Sequence, residues 1–558
     1  MAGQSCARVL NHKKNDSCSG LAMRPAYQTD RTNRTDRTNQ TDRPRQQPRR
    51  GAGFGLVTVA CTLALAACGG GGGDGGAPAG NGDTIVASSR VENLCVAPRA
   101  GIDPVTGQRF TDQPGTVAQE KSWVRAYIDE TYLWFDEIPA SVRAANFATP
   151  QTYFDALRTP AVTASGKPKD RFHFRYDTPE WQALSQSGAA AGYGFELVVI
   201  KKQPPRDIRV AYTEAGTPAT AAGIARGAKI LFVDGADAIN GASVDVLNAG
   251  LYPKKANETH SFTVLDGNGI QRAFTLTSQT VTSTPVQNVK VIDTPPGRTG
   301  YLLFNDHVAT SEGPLITAIN ALKAADITDL VIDVRYNGGG YLSIASQLAY
   351  MVATPAATNG TVFERLLFNS KNPFGLTAQE GITPFYSATR GLSTTSGQAL
   401  PQLGLSRVTL LTGPGTCSAS ESIANGLRGV DIRVDLIGET TCGKPYGFLP
   451  HDNCGTTYFA IQFRGVNNKG IGDYADGLAP TCQVADDFSR ALGDPAEALL
   501  AAALSYRATG VCPPASTTFA KTSGPQLGKS ADPSDASGSF SVDKPPSRTS
   551  KILQLERR

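Results

Sequence analysis

Histidine, methionine and tryptophan are scarce: the 558-residue chain holds 5, 3 and 3 of them. So few histidines leave little material for a multi-histidine metal centre. The 10 cysteines include no CxxC pair, which argues against a zinc site. Charged residues are only 18% and are unevenly placed. Residues 1–67 carry 11 Lys/Arg against 4 Asp/Glu, a balance of +7 within a net +4, which leaves −3 on the remaining 491 residues. A mildly acidic body has no electrostatic footprint for nucleic acid, so that function class is excluded.

What is present is a substantial apolar fraction, 40%, in a chain long enough for two to four domains. Residues 27–50 form a polar, arginine-rich run with a TDRTN-like repeat and no hydrophobic period, which reads as unstructured. After Arg49 and Arg50 comes GAGFGLVTVACTLALAAC, of signal-peptide length and too short and glycine-containing for a transmembrane span. It closes on Leu65-Ala66-Ala67-Cys68, which resembles a bacterial lipoprotein signal whose cysteine is lipidated. The plainer reading is an ordinary signal peptide containing Cys68. The glycine tether that follows favours the lipid anchor, because an anchored domain needs a flexible leash. The long leader predicts a start codon further downstream. Gly69, which is not aspartate, favours the outer membrane over the inner, with the chain facing the periplasm.

Six cysteines remain beyond Cys68: Cys95, Cys417, Cys442, Cys454, Cys482 and Cys512. An even number in an exported chain fits disulfides, with 15 possible connectivities. The chain then divides into a leader and signal (1–67), a tether (68–112), a helical domain (113–187), a β-rich domain (188–285), an α/β block (286–512) and a Pro/Ser/Lys-rich tail (513–558) that reads as disordered. Helical spacing of Trp123, Ala126, Tyr127, Tyr132 and Leu133 predicts an amphipathic helix over 117–138. In the last block, apolar strands such as LVIDV and VTLLT alternate with helices, which predicts a largely parallel, helix-covered sheet.

Three features of that block carry chemistry. Ser418 follows a strand and opens a helix, where a nucleophile is exposed and the helix N-terminus favours negative charge. Ser418 with Glu421 is also a capping box, which needs no chemistry. Lys444 lies 26 residues on, past one strand, so both can reach the same sheet edge. A lysine can act as the base for a serine if desolvation lowers its pKa; an ordinary solvated turn lysine is the commoner state. Gly338-Gly339-Gly340 follows the buried strand LVIDV, and such a turn points backbone N–H groups into the crevice where open α/β sheets bind ligands. A phosphate loop is the competing use, but no Gly-Lys-Ser/Thr follows the turn. Earlier in the chain, Gly192-Tyr193-Gly194-Phe195 precedes a strand, and Thr217-Pro218-Ala219 opens a short helix. A plain β-domain whose glycines serve turns would look similar. The order of elements resembles a PDZ domain of the bacterial protease type, whose loop holds a terminal carboxylate and whose strand edge adds the peptide.

Taken together, the helical segment, the PDZ-like domain, LVIDVRYNGGG, SASES and GETTCGKPYG follow one another as in the carboxyl-terminal processing (tail-specific) serine peptidases, over roughly residues 115–505. The resemblance implies an α/β multidomain chain with a ClpP/crotonase-like peptidase core. It also implies a Ser–Lys dyad of Ser418 and Lys444, oxyanion donors at Gly340 and Ala419, no cofactor and no metal. Its implied partners are polypeptides with apolar C-terminal tails. Many relatives carry glutamine four residues after the lysine; this chain has Phe448. Asp431 lies one residue away from an auxiliary aspartate of some members. A tricorn-like branch uses histidine, but His307 and His451 read as structural or surface residues. Cys417 precedes Ser418 and Cys442 lies two residues before Lys444, so a disulfide could staple the site; the pair Cys442–Cys454 would instead close a short loop. A tail-binding lipoprotein without activity, or an ester-handling protein on the same fold, are the alternatives. No feature sets an oligomeric state.

Overall fold

The structure, a computed structural model, describes residues 85–514 apart from Val105, together with the backbone of Lys551–Ile552. The leader, Cys68 and the tether as far as residue 84 lie outside the described residues. The chain divides into two units, Met1–Ala77 and Pro78–Arg558, and all described residues belong to the second. No described helix is long and apolar enough to cross a membrane.

The central sheet has six strands in the order Val286–Thr294, Gly297–Phe304, Asp329–Asp333, Arg407–Thr412, Arg433–Gly438 and Cys482–Gln483. The first is antiparallel to its neighbour and the rest are parallel. Side chains of a strand alternate between faces, and both faces of the four inner strands are dry. Leu302, Phe304, Leu330, Ile332, Leu410 and Leu436 enter one core. Tyr301, Leu303, Val331, Leu411 and Ile437 enter the other, under the closing helix Ala498–Thr509. That double burial is why these strands read as unbroken apolar runs.

The helical segment shares its core with the central sheet. Trp123, Tyr127, Ile128, Tyr132, Tyr153 and Phe154 pack into the same cluster as the central sheet. Its strand Phe174–Asp177 pairs antiparallel with Thr456–Phe459. The helix is also shorter than its periodicity predicts, Val117–Thr131, because Tyr132 turns extended and Leu133 N–H donates to Ile461 O at 2.8 Å.

Residues 189–282 build the β-rich unit around a core of its own, including Val210, Ile230, Leu247 and Phe262. Five strands run in the order Gln271–Thr277, Thr259–Leu265, Lys229–Val233, Asp207–Thr213, Phe195–Lys201. Entry and exit are tied by Ala189–Gly192 pairing antiparallel with Gln279–Thr282.

One short strand is described in the tail. Lys551–Ile552 form a strand parallel to Gly340–Tyr341. Averaged composition hides this because the apolar run Ile552, Leu553, Leu555 follows a long stretch of Pro, Ser and Lys.

Candidate active site

Ser418 sits where the chain turns from the strand Arg407–Thr412 into the helix Ala419–Gly429. Its φ of +62° and ψ of −115° are unusual for a residue with a Cβ. Such a conformation costs on the order of 1–3 kcal/mol and persists only when neighbours impose it. They do so here. Cys417 N–H donates to Asn337 O at 3.1 Å, Ser420 Oγ donates to the same oxygen at 3.0 Å, and Ser418 N–H donates to Glu421 Oε2 at 2.8 Å. The hydroxyl oxygen of Ser418 is buried without a hydrogen-bond partner.

Glu421 does more than cap the helix. Its Oε2 also accepts the N–H of Lys444 at 2.8 Å, and Oε1 accepts the N–H of Gly443 at 2.9 Å and the hydroxyl of Thr441. One buried carboxylate thus joins the serine turn to the lysine loop. Burial holds its pKa above the ordinary carboxylate value, against the pull of these donors. A disulfide between Cys417 and Cys442, with Cα atoms 5.2 Å apart, makes the second connection. Of the two pairings left open by the sequence, the staple is the one present; Cys454 is bonded to Cys95, and Cys482 to Cys512.

The Lys444 side chain is fully buried, with Nζ 4.1 Å from the ring centroid of Phe448 and 4.7 Å from that of Phe172. Phe448 therefore occupies the lysine's surroundings as an aromatic wall. From the same helical segment as Phe172, Arg171 donates to Cys442 O at 2.7 Å and Gly443 O at 3.2 Å, which fixes the lysine loop from outside.

The glycine turn lies directly against the serine. Asn337 Oδ1 accepts Gly339 N–H at 3.0 Å, and Asn337 Nδ2 donates to Phe304 O at 2.9 Å. Gly339 has φ +103°, and a Cβ there would stand 2.9 Å from Ser418 Cβ and 3.0 Å from Ala419 N. Only glycine admits this approach. The contact with Ser418 belongs to Gly339, whereas the Cα of Gly340 faces His307. Ala419 is buried as the first residue of the helix.

Neither histidine joins the serine. His307 is fully buried; its Nδ1 lies 2.9 Å from Asn337 Oδ1 and its backbone carbonyl accepts Tyr341 N–H at 2.8 Å. Burial lowers its pKa to about 3, so the ring is neutral. His451 Nε2 pairs with Glu92, and its ring packs on Trp123 and Tyr127. Asp431 is exposed and paired with Lys469.

The Gly192–Phe195 segment borders a cleft of about 940 Å³ whose walls include Leu197, Leu251, Lys254 and Lys255. Gly194, φ +87°, allows Thr217 to close behind it, since a Cβ there would lie 2.1 Å from Thr217 Oγ1. Tyr193 is buried, its hydroxyl donating to Gly250 O at 3.0 Å.

Comparison with known proteins matches residues 298–452 to the profile of Peptidase family S41, and residues 119–173 to that of the Peptidase S41 N-terminal domain. A carboxyl-terminal-processing protease of Picosynechococcus sp. is 27% identical over 347 residues, covering 60% of this chain and 74% of that one. A chloroplastic C-terminal processing peptidase of Tetradesmus obliquus is 28% identical over 338 residues, covering 57% and 66%. Among solved structures, a Bacteroides fragilis chain assigned to the S41 proteases shares the fold with a TM-score of 0.54 at 21% identity, covering 70% of this chain and 97% of that one.

Proposed function

We propose that this chain, a homologue of the S41 serine peptidases, is an endopeptidase that works through a Ser418–Lys444 dyad on exported or unfolded polypeptides. Neutral Lys444 takes the proton of Ser418 Oγ as the oxygen attacks a peptide carbonyl carbon. The N–H groups of Gly340 and Ala419 receive the oxyanion. The C–N bond then breaks, the lysine ammonium returns its proton to the leaving amine, and water hydrolyses the acyl-enzyme. No metal or organic cofactor enters this sequence.

The observation that supports this reading best is the double link between the serine turn and the lysine loop, through Glu421 and through the disulfide Cys417–Cys442. A capping serine alone would need neither link. The strained, unpartnered Ser418 hydroxyl and the buried Lys444 are the groups these links hold.

The β-rich unit is read as a PDZ-like module. Its cleft beside Gly192, Tyr193, Gly194 and Phe195 would take an apolar C-terminal tail, with Lys254 and Lys255 near the terminal carboxylate. Lipidation of Cys68 would hold the protein to the outer membrane, facing the periplasm. A fluorophosphonate probe tests the dyad's chemistry. It should label the wild type on the peptide containing Ser418 and leave the folded Ser418→Ala variant unlabelled. Labelling elsewhere, or none at all, contradicts the reading.

A further inference from the structure

The strand Lys551–Ile552 lies parallel to Gly340–Tyr341, with Lys551 opposite Gly340 and Ile552 opposite Tyr341. Its Cα atoms also come within 8 Å of the strand Tyr446–Gly447. Gly340 follows Gly339, the residue packed on Ser418 Cβ, and Tyr446 comes two residues after Lys444. Residues 551–552 therefore lie beside both the glycine turn and the lysine loop, the two segments that flank the serine.

From this placement we propose that the chain's own C-terminal tail, through Lys551–Ile552, is a resident competitor of the proposed peptidase site. It adds to the edge at Gly340–Tyr341 as an extra strand and must leave before a polypeptide substrate can bind there. The inference rests on the peptidase reading for its consequence, but not for the binding itself. Three observations favour the tail over another occupant. It is the segment seated on the edge. It reads Lys-Ile-Leu-Gln-Leu, an apolar run suited to a strand within a tail of polar composition. It also has the reach, since 36 residues separate Pro514 from Lys551 and would span roughly 120 Å if extended. A tethered strand of this kind acts at an effective concentration on the order of millimolar, so a weak intrinsic affinity suffices to obstruct the site.

The test compares the full chain with a variant ending at Ser550, each also carrying Ser418→Ala. A labelled peptide of residues 551–558 should bind the shortened Ser418→Ala protein and bind the full-length Ser418→Ala protein at least tenfold more weakly, by fluorescence anisotropy. This arm needs no catalysis, so it separates failure of the tail proposal from failure of the peptidase reading. With Ser418 intact, shortening should lower KM for an unfolded reporter about tenfold and leave kcat unchanged, at every enzyme concentration. Equal peptide binding by both proteins overturns the proposal. So does inhibition that grows with enzyme concentration, which would make the occupant a second copy. Loss of the last residues from the wild type but not from Ser418→Ala, seen by intact mass, would make the tail a substrate rather than a competitor and also overturn it.

Discussion

Ser418 and Lys444 donate their backbone N–H groups to the same atom, Oε2 of Glu421, each at 2.8 Å. Their main chains are thus held within twice that distance of each other, although one belongs to a helix start and the other to a loop beyond the next strand. Replacing Glu421 by glutamine keeps the volume and removes one of the two acceptor oxygens' charge and capacity. The variant should be less stable by about 1–3 kcal/mol, as for a buried donor left unpaired, measured by urea unfolding. Because burial raises the Glu421 pKa in the folded state, its contribution is full in acid and is lost as pH rises through the folded value. The gap between wild type and Glu421→Gln should therefore narrow above the ordinary carboxylate range.

The disulfide Cys417–Cys442 closes a loop with a sequence separation of 25 around the same junction. Loop closure of that size is worth about 3 kcal/mol in the chain-entropy account. The double variant Cys417→Ser, Cys442→Ser should unfold at lower denaturant and lose kcat more than KM, since the two loops lose one of their ties. Unchanged kcat in a folded double variant would show that Glu421 alone suffices.

Phe448 forms part of the wall around the Lys444 Nζ, with Phe172 as the other part. Phe448→Ala should cost about 3–5 kcal/mol, as other buried aromatic truncations do, read from thermal or urea unfolding. Phe448→Leu restores most of the volume without the ring face. It should fold and label with fluorophosphonate roughly tenfold more slowly than wild type.

His307 is buried neutral beside the glycine turn, its pKa lowered to about 3 from 6.5. A depressed folded value means that stability is full above about pH 6.5 and is lost as pH falls toward 3, by about 1.4 kcal/mol for each unit crossed. His307→Gln should show a flatter acid limb in unfolding free energy between pH 6.5 and 4. A wild-type profile with no slope in that window would contradict the buried neutral ring.

Much of this arrangement was legible in local patterns. The double burial of LVIDV and VTLLT announces central strands, and the Ser418 turn and Gly338–Gly340 turn both sit at strand ends where the periodicity breaks. What stayed hidden depends on distant partners. Nothing in KDRFHFRYD signals that Arg171 would hold the carbonyls of Cys442 and Gly443, or that Phe172 would face Lys444, because those contacts span more than 270 residues. Glu421 was legible as a cap, but its bonds to Thr441, Gly443 and Lys444 arise only when the return strand brings that loop back. The strand at Lys551–Ile552 was masked by the composition of the tail around it.

The central claim is that Ser418 and Lys444 act as one nucleophile and base on polypeptides. Its most direct test is cleavage of an unfolded reporter bearing an apolar C-terminal tail, by the wild type, Ser418→Ala and Lys444→Ala, with folding of each checked by circular dichroism. The account predicts cleavage by the wild type and loss of at least a thousandfold in both variants, each still folded. Cleavage that survives Lys444→Ala, or three folded proteins that bind the reporter and none that cuts it, would contradict the dyad.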